Sequence, residues 1–140
     1  MDTQSDTQFF SEPPEIYSGD KDFVSLNAWK AARTVRNFMY KKVVPVLPKT
    51  EEYNLENQIQ RAAVSITANI AEGYGRYHYQ EAIQFYRISR GSLYELKDHL
   101  ITCFDLEYLT KSYLMEGVEL IESAKRQLNG YINFVKKQKI

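Results

Sequence analysis

The segment from Leu55 to Arg76 constrains the fold more than any other part of the chain. Read at about 100° per residue, as in an α-helix, it carries two apolar faces on roughly opposite sides. The first face consists of Leu55, Ile59, Ala62, Ala63, Ile66 and Ile70, and the second of the smaller Val64, Ala68 and Ala71. A helix that is apolar on two sides must be covered on both. The pattern therefore predicts one face inside a helical bundle and the other against a second body.

A polar stripe separates the two faces. Its members recur at spacings of three and four and so align along one side of the helix: Gln58, Arg61, Ser65, Asn69, Glu72 and Arg76. Since unpaired buried polar groups are costly, we expect the stripe to be hydrogen-bonded at or near subunit contacts. We expect Asn69 and Glu72 to be the partners of Arg61 and Arg76. The stripe indicates assembly rather than a reaction.

The rest of the chain also shows helical periodicity, which few prolines and glycines interrupt. It predicts an all-α fold, an up-down-up-down four-helix bundle with helices over about 22–44, 55–72, 78–105 and 111–136. Pro45 should end the first helix, because proline lacks the N–H that the next turn requires. Thr50 is the predicted N-cap ahead of the second helix.

Three glycines carry further expectations. Gly73 and Gly75 should stop the second helix in the left-handed conformation that glycine adopts readily. Gly91 lies within the third helix, where glycine costs about 1 kcal/mol relative to alanine. This favours a close approach by another backbone or a large ring, with Trp29 as the candidate. The predicted core face of the third helix consists of Ala82, Phe85, Ser89, Ser92, Leu96, His99 and Cys103.

Charge is unevenly distributed along this chain of 140 residues and zero net charge. Residues 1–22 carry six acidic side chains and one basic, whereas the remainder carries 17 basic and 12 acidic, a net charge of +5. Residues 1–21 are aperiodic and predict a flexible acidic tail ahead of a bundle domain over 22–140. A mildly positive body permits nucleic-acid contact without requiring it, and a solvated mixed surface is the alternative.

Neither an enzyme nor a cofactor or metal site is expected. His99 and Cys103 are four residues apart and could act as ligands or as a nucleophile pair, but the pattern favours two core residues. Glu72 and Glu95 should pair with arginines rather than catalyse. Cys103 is the only cysteine, which fits a reducing, cytoplasmic location. No apolar run approaches the roughly 20 residues that span a bilayer, so no membrane contact is expected.

Two sets of residues are candidates for nucleic-acid contact. The turn over 73–79 interleaves aromatic and basic side chains, which can stack on bases and contact phosphates. Alternatively, its tyrosines cover the bundle end or an oligomer contact. The basic C-terminus is a second patch. The candidates are Arg76, Tyr77, His78 and Arg90 in the first set and Lys136, Lys137 and Lys139 in the second.

These residues resemble a bacterial four-helix-bundle family, the 23S ribosomal-RNA intervening-sequence or S23-like proteins, over about residues 23–135. The resemblance rests on Gln58, Arg61 and the runs 62–63, 65–66, 68–73 and 75–76, and continues in Phe85, Ile88, 91–92 and 95–96. It is weaker at Leu26 and over 29–32. Thr67 departs from the family pattern, in which proline is frequent at this position.

The resemblance implies a left-handed up-down-up-down bundle that assembles into a ring-like homopentamer. Some members are encoded inside insertions in ribosomal RNA genes. The accessory proteins of diversity-generating retroelements are similar in fold; they work with a reverse transcriptase and bind nucleic acid through a strongly basic surface. No enzymatic activity or cofactor comes with the resemblance.

Two hypotheses for function follow. In the first, the chain is a non-enzymatic homo-oligomer that engages RNA, DNA or a nucleic-acid enzyme such as a reverse transcriptase. In the second, it is a scaffold or interaction protein with no nucleic-acid role. Weak, steeply salt-dependent RNA binding that tightens when residues 1–20 are removed would favour the first.

Overall fold

Four long helices make up the fold in the computed structural model, which describes residues 22–138. They are α1 (Asn27–Phe38), α2 (Leu55–Tyr74), α3 (Tyr79–Asp105) and α4 (Lys111–Gln138). Each helix packs on the next along the chain, and α1 also packs on α4, which closes the bundle. The predicted all-α, up-down-up-down bundle is confirmed over the described range, where no strand occurs. The predicted acidic tail lies outside that range.

The first helix begins later than predicted. Asp22 caps a separate 3-10 turn, Phe23–Ser25, by accepting the Phe23 N–H at 2.7 Å. Leu26 then adopts an extended conformation (φ −72°, ψ 129°), so α1 starts only at Asn27.

The end of the first helical segment changes pitch before Pro45. After α1 the chain continues as a π-helix, Met39–Val43, and then as a 3-10 turn, Val44–Val46. Pro45 accounts for the change, because its ring collides with the carbonyl four residues earlier in a regular α-helix.

The Glu51 side chain, not that of Thr50, accepts a hydrogen bond from a backbone N–H at the start of α2. Thr50 lies inside a 3-10 turn, Lys49–Glu51, and the N-cap position of α2 is occupied by Asn54, four residues later. The Glu51 carboxylate instead accepts the Leu55 N–H at 3.4 Å. The Tyr108 hydroxyl donates to the same carboxylate at 2.9 Å, which joins the start of α2 to the connection between α3 and α4.

Of the two glycines at the end of α2, Gly73 acts through its small size, and neither acts through a left-handed conformation. No glycine within residues 22–138 has a positive φ, so the predicted left-handed stop is wrong. Gly75 caps α2 at φ −80°. Gly73 lies inside the helix, where a Cβ atom would be 2.6 Å from Tyr86 Cε1 and 2.9 Å from the Ala82 carbonyl oxygen. Gly73 thus permits α3 to approach α2 closely.

Trp29 is not the close neighbour of Gly91 that was predicted, and no other part of the described chain approaches Gly91 closely. A Cβ atom there would meet nothing within 4 Å, and the residue is exposed. Trp29 packs edge-on against Phe23 instead, with ring centroids 5.4 Å apart. The second tight glycine is Gly117 in α4, where a Cβ atom would lie 2.6 Å from Leu100 Cδ1.

The buried residues lie on the predicted helix faces except in α3, whose buried face is rotated about the helix axis. All six residues of the first apolar face of α2 are buried. In α3, Phe85 and His99 are only half-buried, and Ile83 and Tyr86 are buried although they were not predicted to be. The reason is that α3 packs on α2 along one side and on α4 along the other, which shifts its buried arc toward Ile83 and Tyr86. No helix of the described part of the chain has the length and apolar character to cross a bilayer.

Candidate functional site

The second apolar face of α2 is uncovered in the single chain. We call Val64, Ala68 and Ala71 the small-residue face. Val64 is 48% exposed, Ala68 is exposed and Ala71 is half-buried. On the adjacent helix α3, Ile88 is 51% exposed and Gly91 carries no side chain. The bundle therefore covers one apolar face of α2 and leaves the other at its surface.

The polar stripe lies where α2 meets α3, along a line that we call the α2–α3 seam. Ser65 and Ser92 share a hydroxyl–hydroxyl hydrogen bond of 2.9 Å. Asn69 Nδ2 donates to both the carbonyl and the hydroxyl of Ser65, each at 2.9 Å. The half-buried polar groups of the stripe are thus satisfied within the chain, across two helices.

The charged residues of the stripe are also paired, though not all as predicted. Arg61 forms an ion pair with Glu95 of α3, not with Asn69, because Asn69 is occupied by Ser65. Glu72 pairs with Arg76 at 2.7 Å, as predicted. Gln58, at the other end of the stripe, is exposed. Positive and negative charges balance along this seam.

His99 and Cys103 do not form a joint site. His99 Nε2 lies 3.0 Å from Glu95 Oε2, so the imidazole contacts the same carboxylate that pairs with Arg61. Cys103 is fully buried, and burial raises the pKa of its thiol to about 11. The thiol therefore stays protonated at neutral pH and is a poor nucleophile or ligand. Within residues 22–138, no group of three His, Cys, Asp or Glu side chains converges as a metal site would require.

A second line of contacts joins α3 to α4, along what we call the α3–α4 seam. Arg90 Nη1 donates to Asn129 Oδ1 at 2.8 Å. Lys97 Nζ donates to Glu122 Oε2 at 3.1 Å. Between these two contacts, Lys125 Nζ lies 3.9 Å from the centroid of the Tyr94 ring. Nearer the end of α4, Arg87 and Lys136 line one shallow groove.

Electrostatics distinguish the two seams. The hydrogen bonds of the α3–α4 seam and the groove at its end involve five cations and two carboxylates: Arg87, Arg90, Lys97, Lys125, Lys136, Glu81 and Glu122. Hydrogen bonds from Lys97 and Lys125 hold the pKa of Glu122 below its ordinary value. Burial opposes charge on Lys125, yet its hydrogen bonds to Tyr94 and Glu122 raise the pKa of its ammonium group. This seam is consequently positive at neutral pH, unlike the balanced α2–α3 seam.

The residues predicted to contact nucleic acid lie partly in the α3–α4 seam and partly in the α2–α3 seam. Arg90 and Lys136 belong to the α3–α4 seam. Arg76 lies at the α2–α3 seam, where it contacts Glu72 and Glu81 and stacks over the Phe85 ring at 4.7 Å.

The remaining candidates lie at one end of the bundle. Tyr77 (97% exposed) and His78 occupy the turn between α2 and α3, and the exposed Lys137 is near the end of α4. Lys139 lies outside the described residues. The two sets, taken as alternatives from the sequence, therefore share the bundle end at which α2 and α4 finish.

Sequence reasoning missed Arg87, Tyr94, Lys97 and Lys125 as members of a shared surface. A signal was present, because residues 87, 90, 94 and 97 recur at helical spacing. The alignment with α4 was not visible, since it depends on the register of two antiparallel helices.

The family model of the 23S rRNA-intervening sequence proteins matches residues 24–130. The match spans most of the chain, which therefore belongs to this family. A comparison with curated proteins found no match.

Proposed function

We propose that this member of the 23S rRNA-intervening sequence protein family is a non-enzymatic, cytoplasmic bundle that self-associates and engages RNA. The observation that carries the proposal is the uncovered small-residue face of α2 beside a fully satisfied polar seam. Small side chains allow two helices to approach closely, and satisfied polar groups can be covered without a desolvation penalty from unpaired atoms. The face is thus suited to a second copy of the chain.

A ring of five copies is the favoured assembly, on the strength of the resemblance to the family. In such a ring each chain contributes its positive residues once, and the repetition multiplies weak contacts into a higher avidity. RNA is favoured as the ligand by the basic body of the chain, whose net charge outside residues 1–22 is +5. The competing proposal is a scaffold for proteins alone.

A titration of RNA distinguishes the two proposals. Fluorescence anisotropy of a labelled, structured RNA would be measured with the full chain and with a variant that lacks residues 1–20, at low and at physiological salt. We expect weak binding that falls steeply with salt, because released counterions supply most of its free energy. We also expect the truncated chain to bind more tightly, since the deleted segment is acidic and competes with phosphate. If neither form binds at low salt, the RNA proposal fails and the scaffold proposal stands.

A further inference from the structure

We propose that the α3–α4 seam is the path along which the RNA backbone lies. This inference rests on the proposed RNA binding and assigns it to residues. The ligand is a single-stranded or unpaired stretch of RNA whose phosphates contact Arg87, Arg90 and Lys136 and whose bases reach Tyr94.

Contacts between α3 and α4 form one row. Positions 90, 94 and 97 of α3 each contact α4, and residue 87 shares a groove with Lys136. The ten helical steps from 87 to 97 extend about 15 Å. The contacts from this row reach Asn129, Lys125 and Glu122 in regular antiparallel order along α4. The hydrogen-bond donors therefore lie in a straight row. An extended polyanion binds along such a row rather than at a single charge.

Cations outnumber carboxylates along the seam. Glu122 accepts hydrogen bonds from both Lys97 and Lys125, so one carboxylate serves two ammonium groups. Arg87, Arg90 and Lys136 add further positive charge, and one carboxylate, Glu81, lines the same groove as Arg87 and Lys136 and also lies 3.8 Å from Arg76. Like charges in one row repel one another, and bound phosphates would relieve that repulsion.

An aromatic ring, Tyr94, lies within this row of cations. Tyr94 is 55% exposed although Lys125 covers part of its ring. An exposed ring flanked by cations offers a base a stacking surface beside its phosphate contacts. An acidic protein segment would use the cations but gain little from the ring, which is why RNA is the ligand that the seam favours.

The turn between α2 and α3 is the weaker location. Its Arg76 already contacts two carboxylates and the Phe85 ring, so its charge is compensated within the chain. Tyr77 and His78 can extend the path at the bundle end, but they do not supply a row of cations.

The test compares two variants with the same change of charge. The seam variant combines Arg87→Gln, Arg90→Gln and Lys136→Gln; the control combines Lys41→Gln, Lys49→Gln and Lys111→Gln, all of which are exposed and lie outside both α3 and the part of α4 that contacts it in the seam. Binding of a labelled RNA hairpin with a single-stranded extension would be measured over a salt series, with circular dichroism to verify folding. The seam variant should bind at least tenfold more weakly at low salt. Its salt slope should fall by about 2, since each lost single-strand phosphate contact removes about 0.7. The control should change binding less than twofold.

Two further measurements distinguish base stacking from charge and RNA from an acidic protein segment. Tyr94→Ala should weaken binding severalfold without changing the salt slope, because stacking releases no counterions. Polyglutamate should compete poorly against the RNA. If the wild-type chain does not bind RNA, both the proposed RNA function and the proposed binding path along the seam are wrong. If the wild-type chain binds but the seam and control variants weaken equally, the seam is wrong while the RNA function stands. If polyglutamate competes as well as RNA, the seam binds polyanions without preference and RNA is not its specific ligand.

Discussion

Gly73 is the residue on which the approach of α2 and α3 depends most directly. A Cβ atom there would lie 2.6 Å from the Tyr86 ring, and Tyr86 is buried against Tyr131 with ring centroids 5.2 Å apart, so the ring has little room to yield. Gly73→Ala should therefore destabilise the fold by about 1–3 kcal/mol through overpacking. Urea unfolding at one protein concentration measures the change.

Gly130 in α4 supplies the matched control. It is also a helical glycine, but a Cβ atom there would meet nothing within 4 Å. Gly130→Ala should stabilise the fold by about 0.5–1 kcal/mol, because alanine is the better helix former. A stabilising Gly73→Ala would show that the two helices do not depend on a missing side chain at this point.

The glycines also show what the sequence can and cannot reveal about single residues. Helical period identifies Gly73 and Gly91 equally as glycines near or within helices. Only the packing of a neighbouring helix decides that the first is crowded and the second is open. The expectation that Glu95 pairs with an arginine is confirmed, since it pairs with Arg61, whereas Asn69 as the partner of Arg61 was wrong.

At the level of elements, the half-buried Asn69 stabilises α2 more than the exposed Glu72 does. Asn69→Ala removes two hydrogen bonds to the half-buried Ser65 and should cost about 1 kcal/mol. Glu72→Ala breaks an exposed pair four residues apart, which is worth at most about 0.5 kcal/mol. Urea midpoints of the two variants at equal concentration would compare them. Equal shifts would mean that the Asn69–Ser65 contact adds nothing beyond a surface pair.

The contact between Tyr108 and Glu51 predicts an acid dependence of the bundle end. The Tyr108 hydrogen bond holds the pKa of Glu51 below its ordinary value. A carboxyl whose pKa is lowered by folding stabilises the fold above its unfolded pKa of about 4.3, and that contribution is lost as pH falls through the folded pKa. Tyr108→Phe should therefore lower stability at pH 7 and make its decline below about pH 4.3 shallower. Melting temperatures across this range would test it, and parallel curves for the two proteins would contradict it.

Helix periodicity predicted the helices and their buried faces, but it did not predict which residues of neighbouring helices meet. All six residues of the predicted core face of α2 are buried, because apolar side chains at helical spacing determine which side enters the core. The buried Thr67 and Gly73 were not predicted, since neither is a large apolar residue. The start of α1 and the cap of α2 were missed, because Leu26 and the turn at Lys49–Glu51 interrupt the period with local conformations that it does not encode. The α3–α4 seam required the register between helices, which no single segment contains.

Seen as a whole, the molecule places two different surfaces on the two sides of α3. One side, with α2, is charge-balanced and borders small apolar residues; the other, with α4, is positive and carries an exposed ring. This division allows one chain to contact copies of itself and a polyanion at the same time. Self-association is the claim on which the rest of the account depends, because avidity requires it.

The mass of the protein in solution tests that claim most directly. Light scattering coupled to size exclusion, at micromolar concentration, should give a multiple of the 16.4 kDa chain, with five copies favoured. Ala68→Glu, which places a charge on the small-residue face, should reduce that mass, whereas Gln127→Glu, which adds the same charge to the exposed side of α4, should not. A wild-type mass of 16.4 kDa would contradict the account, and so would an assembly that Ala68→Glu and Gln127→Glu leave equally intact.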